Sequence, residues 1–268
     1  MGSVRSEGCD LYYEEAGDGV PILLIHPAGA TASTWGVAVE ELARTGRVIT
    51  YDRRGYARSS GQPVRSMSTH TTDAAAILQT LRTPPAVVVG TSAGAAIAVD
   101  LAVRRPDVVR AVIAHEFPWR FTRHTPTASQ AKAITKIGLL ALLGRQDDAA
   151  EALLRAAYSY RGGGSAWDAF PQEWRRIGRE NAKRALADFR NSIVTYPSGR
   201  DLATIRVPVV CSYGARSPDS MARLVRSLAF AIPNARTCRI EGAGHAAPFD
   251  APSKFVKLIT DAIAPIKQ

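Results

Sequence analysis

The sequence predicts an α/β fold: a mostly parallel central sheet flanked by helices, with a block of helices inserted late in the chain. Three observations carry that expectation. Short apolar runs alternate with helical patterns through the first half of the chain and again near its end. Parallel strands joined by crossover helices read in this way. The alternation stops between 117 and 205, where helical patterns run on without a strand of the same quality. Finally, Gly90-Thr91-Ser92-Ala93-Gly94 reads G-x-S-x-G and stands between an apolar run and a helix-compatible stretch.

The strands are expected at Pro21 to His26, Arg47 to Asp52, Ala86 to Thr91, Val108 to Glu116, Val207 to Tyr213 and Ala235 to Ile240. Each is a short apolar run bounded by turn-forming residues. Leu11 to Glu15 is a candidate antiparallel strand at the N-terminus. Helices are expected at Ser33 to Arg44, Thr71 to Leu81, Ala93 to Arg105, Pro218 to Phe230 and Pro252 to Ile263. The insertion carries apolar residues at helical spacing over Ala128 to Leu143, Asp147 to Tyr160 and Pro171 to Asn191. This divides the chain into a core of 1–116 and 206–268 and a helical cap of 117–205.

Composition narrows the class. A chain of 268 residues with 46% hydrophobic and 22% charged residues suits one globular α/β unit. No apolar run reaches membrane-spanning length, and Met1 to Asp10 lacks the apolar stretch of a secretion signal. A cytoplasmic location is expected. Cys9, Cys211 and Cys238 lie far apart, without metal-ligand spacing, and read as free thiols. The net charge of +10 comes from scattered arginines, with no basic block interleaved with aromatics. Neither a nucleic-acid partner nor a membrane is expected. The partner is a small-molecule substrate, and a homodimer is left open. No metal or other cofactor is implied, because no H-E-x-x-H, paired-cysteine or Gly-rich phosphate motif occurs.

Strand, sharp turn and helix around Ser92 are the context of a nucleophile elbow, which lifts one hydroxyl above the sheet. With this elbow and the interrupted alternation, the chain resembles the α/β-hydrolase family over essentially its whole length. Leu23-Leu24-Ile25-His26-Pro27-Ala28-Gly29, the Tyr51 to Ser59 turn and Gly242-Ala243-Gly244-His245 are similar to that family's oxyanion, D-x-R-G-x-G-x-S and histidine segments.

A serine hydroxyl needs a base within hydrogen-bond reach. Of His26, His70, His115, His124 and His245, only His245 lies in a Gly-rich loop after a late strand, where the Ser, acid, His order puts the base. In many members the third residue is an aspartate after the strand here at Val207 to Tyr213. That position holds Ser217, which cannot carry the charge, and Asp219 is two residues further on. Glu116 is the preferred acid. It closes an apolar strand in Ala114-His115-Glu116-Phe117-Pro118, and a charge there calls for a local reason. His-Glu-x-Pro at this point resembles the fungal zearalenone lactone hydrolases, in which the glutamate completes the triad. Asp219 is the alternative acid, with Asp250, Glu241 and Asp107 behind it.

Oxyanion donors are expected from the backbone N–H groups of Ala93, directly after the nucleophile, and Ala28. Phe117, Trp119, Trp167, Phe170, Trp174 and Phe189 are candidate lining of an apolar pocket. Trp119 and Phe117 rank first because they follow the acid, and Trp35 is placed at the entrance. The expectation is a serine hydrolase of an ester or lactone. Alternatives are C–C bond or amide hydrolysis, a lyase step, or a slow-turnover ligand receptor, since fold alone does not choose among them.

Overall fold

In the computed structural model, residues 1–62, 66–117, 119, 128–195 and 197–263 are described, with only the backbone at 128–129 and 189–195. Among them eight strands form one sheet: β1 (Gly2–Ser6), β2 (Cys9–Ala16), β3 (Pro21–Ile25), β4 (Arg47–Tyr51), β5 (Ala86–Thr91), β6 (Val109–His115), β7 (Val209–Gly214) and β8 (Ala235–Ile240). The spatial order is β1-β2-β4-β3-β5-β6-β7-β8. β1 and β2 pair antiparallel, and β2 meets β4 antiparallel. Every pairing from β4 to β8 is parallel.

The interior strands are buried along their length because helices cover both faces. Side chains alternate across the sheet with a period of two. Leu23, Ile25, Val88, Val112, Ala114 and Cys211 pack on one face with the helix Ala93–Arg104. Ile22, Leu24, Val87, Val89, Ile113 and Val210 pack on the other, against Trp35 and Phe255.

Three expectations are corrected. β1 was not foreseen. It pairs with β2 through a two-residue turn, Glu7-Gly8, with φ of 41° and 77°, the left-handed pair that tight hairpins favour. The stretch Ser33 to Arg44 is a 3-10 turn (Ala32–Trp35) followed by a helix (Val37–Leu42), broken at Gly36, where φ is 37° and ψ −117°. Pro171 to Asn191 is two helices, Gln172–Glu180 and Ala182–Thr195. Asn181 separates them by turning its side-chain amide onto the Ile177 carbonyl at 3.0 Å, while its own carbonyl accepts from the Ala185 N–H.

Candidate active site

The parallel strands bring four loops to one edge of the sheet. Ile25 pairs with Gly90, Thr91 with His115, and His115 with Ser212. The residues that follow β3, β5, β6 and β7 are therefore neighbours. They include Ala28, Ser92, Glu116 and Ser217, as expected of ligand sites at the carboxyl ends of parallel strands.

Ser92 has φ of 52° and ψ of −116°, a conformation that costs a non-glycine residue about 1–3 kcal/mol. Its N–H donates to the His115 carbonyl at 2.9 Å. Close packing explains the flanking glycines. A Cβ on Gly90 would lie 2.2 Å from the Gly94 carbonyl oxygen, and one on Gly94 would lie 2.0 Å from that of Ile25. Gly94→Ala should therefore lose about 3 kcal/mol or more in urea unfolding, because both atoms in the clash are backbone. The same approach sets the loop after β3 beside the elbow. Among the described residues, neither Ala28 nor Ala93 donates its N–H to another backbone group.

Glu116 has φ of 50° and is buried. Its Oε2 accepts from His245 Nδ1 at 2.7 Å. Its Oε1 accepts from the Gly214 N–H at 2.9 Å and from Ser217 Oγ at 2.5 Å. Burial alone would raise its pKa. The hydrogen bond from His245, the nearby His115 and the Ser217 hydroxyl outweigh burial and hold it at about 2. The carboxylate is ionised at neutral pH. It fixes His245 as the tautomer with the proton on Nδ1, leaving Nε2 free to accept.

The histidine loop has further braces. His115 Nε2 lies 3.1 Å from the Gly244 carbonyl, and its Nδ1 lies 3.0 Å from Ser212 Oγ. Asp250 accepts from the Gly244 N–H at 2.7 Å and from the Tyr160 hydroxyl at 2.7 Å. Tyr158 packs edge-on against the His245 ring, with centroids 5.3 Å apart.

The other sequence candidates lie elsewhere. Asp219 is exposed and pairs with Arg161 at 3.1 Å. Glu241 pairs with Arg239, and Asp107 with Arg105, both on the surface. His26 is fully buried. Its Nε2 accepts from the Arg53 N–H at 3.0 Å, while Nδ1 meets the Pro27 carbonyl at 2.9 Å. Burial, together with Arg53, holds its pKa well below the ordinary range. His70 is buried near Asp188, and His124 lies outside the described residues. Among the described residues, no group of three or more His, Cys, Asp or Glu could hold a metal ion. No helix among them is long and apolar enough to cross a membrane.

The model of the alpha/beta hydrolase family matches residues 22–258. The chain belongs to that family. The hydrolase fold is shared with the enol-lactonase of Burkholderia xenovorans LB400, at a TM-score of 0.78 and 21% identity over 98% of this chain and 99% of that one. Zearalenone hydrolase of Bionectria ochroleuca is 26% identical over 79% of this chain and 78% of its own. The uncharacterized hydrolase YraK of Bacillus subtilis is 36% identical over a stretch covering 43% of this chain and 44% of that protein. Other relatives carry the names epoxide hydrolase and carbamate hydrolase.

Over the sheet edge, this hydrolase has a cavity of about 50 Å³. It is lined by Pro27 and Gly29 of the β3 loop, by Trp35 and Thr91, by Leu154, Tyr158, Trp167, Phe170 and Trp174 of the inserted helices, and by His245 and Phe249. Trp35, Trp167, Phe170 and Trp174, all candidates from the sequence, are among its lining residues. Phe117 and Trp119 do not line it, which corrects their first rank. Both are buried in the large core cluster beneath the sheet edge, and the Trp119 indole N–H donates to the Pro197 carbonyl at 3.0 Å. The side chain of Phe189 lies outside the described residues.

Ser217 and Phe249 were missed, whereas Tyr158 is one of the aromatics of the inserted segment that the sequence offers as pocket candidates. Of the two missed, only Ser217 had a signal in the sequence: it occupies the loop position where a carboxylate was sought and not found.

Proposed function

We propose that the protein is a serine hydrolase that cleaves an ester or lactone of a largely apolar substrate through an acyl-enzyme on Ser92. The observation that carries this reading is the Glu116–His245 hydrogen bond of 2.7 Å beside the strained elbow of Ser92. His245 Nε2 takes the Ser92 proton as the hydroxyl attacks the carbonyl. Glu116 stabilises the imidazolium that forms. The N–H groups of Ala28 and Ala93 receive the oxyanion. His245 then protonates the leaving alkoxide, and the same histidine activates the water that releases the acid. From a lactone the product is a single hydroxy acid.

Residues 117–205 act as a cap whose aromatics select the acyl group. A cavity of about 50 Å³ is well below the roughly 300–1,000 Å³ of ordinary small-molecule sites. A short acyl chain enters as the cavity stands. A bulkier substrate requires lining side chains to shift. The lactonase and esterase names among the structural neighbours, and a hydrolase name among the relatives, support ester chemistry in general.

A fluorophosphonate probe tests the assignment. It should label Ser92 in the wild type and label nothing in Ser92→Ala, whose kcat on short-chain esters should fall at least about 10⁴-fold. Labelling at another residue would overturn the nucleophile, and hydrolysis retained in Ser92→Ala would overturn the mechanism.

A further inference from the structure

Ser217 lies 101 positions beyond Glu116 in the chain, yet its hydroxyl meets the Glu116 carboxylate at 2.5 Å. An ionised carboxylate only accepts hydrogen bonds, so the hydroxyl must donate. Both Oε1 hydrogen bonds come from the end of β7 and its following loop: the Gly214 N–H closes the strand and Ser217 lies just beyond it. The glutamate is therefore supplied by β6 but seated on β7.

Two donors on Oε1 restrain the carboxylate more than the one N–H alone would. With Oε1 held, Oε2 has a single direction left, and His245 lies along it. Ser217 is itself buried, and its N–H closes a turn onto the Gly214 carbonyl at 3.2 Å. Pro218 follows and restricts the backbone of the residue before it. The hydroxyl is thus held in place before substrate arrives. His115, the other ionisable group against Glu116, lies 4.0 Å from the same oxygen and is already engaged with Ser212 and the Gly244 carbonyl. It cannot take over the position.

We infer that Ser217 is a positioning residue for the proposed reaction: its hydroxyl orients the Glu116 carboxylate toward His245. This rests on the reading of Ser92, Glu116 and His245 as a triad. A hydrogen bond to a charged acceptor in a buried site is worth enough to change turnover about tenfold. The effect falls on kcat, because the carboxylate is needed most when His245 becomes positive in the transition state.

Ser217→Ala and Ser217→Thr separate this role from simple packing. Two readouts apply: steady-state hydrolysis of a short-chain 4-nitrophenyl ester, and the low-field proton resonance of His245 Nδ1–H in the resting enzyme. Ser217→Ala should lose about tenfold in kcat with KM within about twofold, and its resonance should move or broaden. Ser217→Thr, which keeps the hydroxyl, should restore both. Wild-type kcat with an unmoved resonance in Ser217→Ala would overturn the inference. So would equal impairment of both variants with the resonance unmoved, the mark of a packing role. The resonance needs no turnover. If the wild type hydrolyses no ester and Ser92 takes no fluorophosphonate, the hydrolase reading fails, while the resonance still decides whether Ser217 orders the Glu116–His245 pair.

Discussion

Glu116→Gln should lower kcat for an ester about 10⁴-fold at neutral pH while leaving KM nearly unchanged. The reason lies in the donors around the side chain. The Gly214 N–H points at the Oε1 position and cannot reverse its polarity. A glutamine must therefore place its carbonyl there and turn its amide toward His245. That NH₂ group donates, so His245 Nδ1 must accept, and the ring proton moves to Nε2. The nitrogen that should take the Ser92 proton would already carry one. The imidazolium would also lose the negative charge 2.7 Å away. The fluorophosphonate labelling rate of Ser92 should fall in parallel, since it depends on the same base. Asp219→Asn is the control. Asp219 is exposed and tied to Arg161, so its loss should leave kcat within about twofold of wild type. Collapse of Asp219→Asn with full activity in Glu116→Gln would reverse the assignment of the acid.

Much of this arrangement was legible because sterics and charge leave few alternatives locally. The elbow could be read because a Cβ on Gly90 or Gly94 would lie 2.0 to 2.2 Å from a backbone oxygen, which enforces glycine there. Glu116 could be read because a charge closing an apolar strand calls for a partner. The unread parts depend on geometry across loops. β1 has one buried apolar residue, Val4, too few to show a period. Phe117 and Trp119 were placed by adjacency to Glu116. However, the positive φ of Glu116 turns the chain there, and both rings enter the core. Ser217 reads as a deficit in the sequence and as a hydrogen-bond donor in three dimensions.

Least legible was the anchor between the inserted helices and the sheet. Asp188→Ala should cost about 3–5 kcal/mol in urea unfolding, because it breaks a buried ion pair and strands the other charge. Asp188 Oδ2 accepts from Arg53 Nη2 at 2.6 Å and from the Tyr56 hydroxyl at 2.6 Å. The Arg53 side chain is fully buried, and among the described residues its Nε and Nη1 have no hydrogen-bond partner. Without Asp188 its guanidinium would keep, among the described residues, the Pro27 carbonyl at 3.3 Å and the face of Tyr56. Pro27 adjoins Ala28, so kcat should fall together with stability. Replacing the pair by Arg53→Met with Asp188→Leu should recover most of the stability, since neither charge of this pair would then remain buried. The pH dependence follows from the same cluster. Burial would raise the Asp188 pKa, but Arg53, His70 and Tyr56 outweigh it and hold it well below the carboxylate range. Its stabilisation is therefore full above the unfolded value of about 3.9 and is lost as pH falls further. His26 and His70 are shifted down by burial, so the unfolded chain binds the extra protons and stability begins to fall below about pH 6.5. Wild type should thus lose stability in two steps on acidification. In Asp188→Ala the step below about pH 4 should be shallower. An unchanged slope there would mean that Asp188 does not hold its charge in the folded protein.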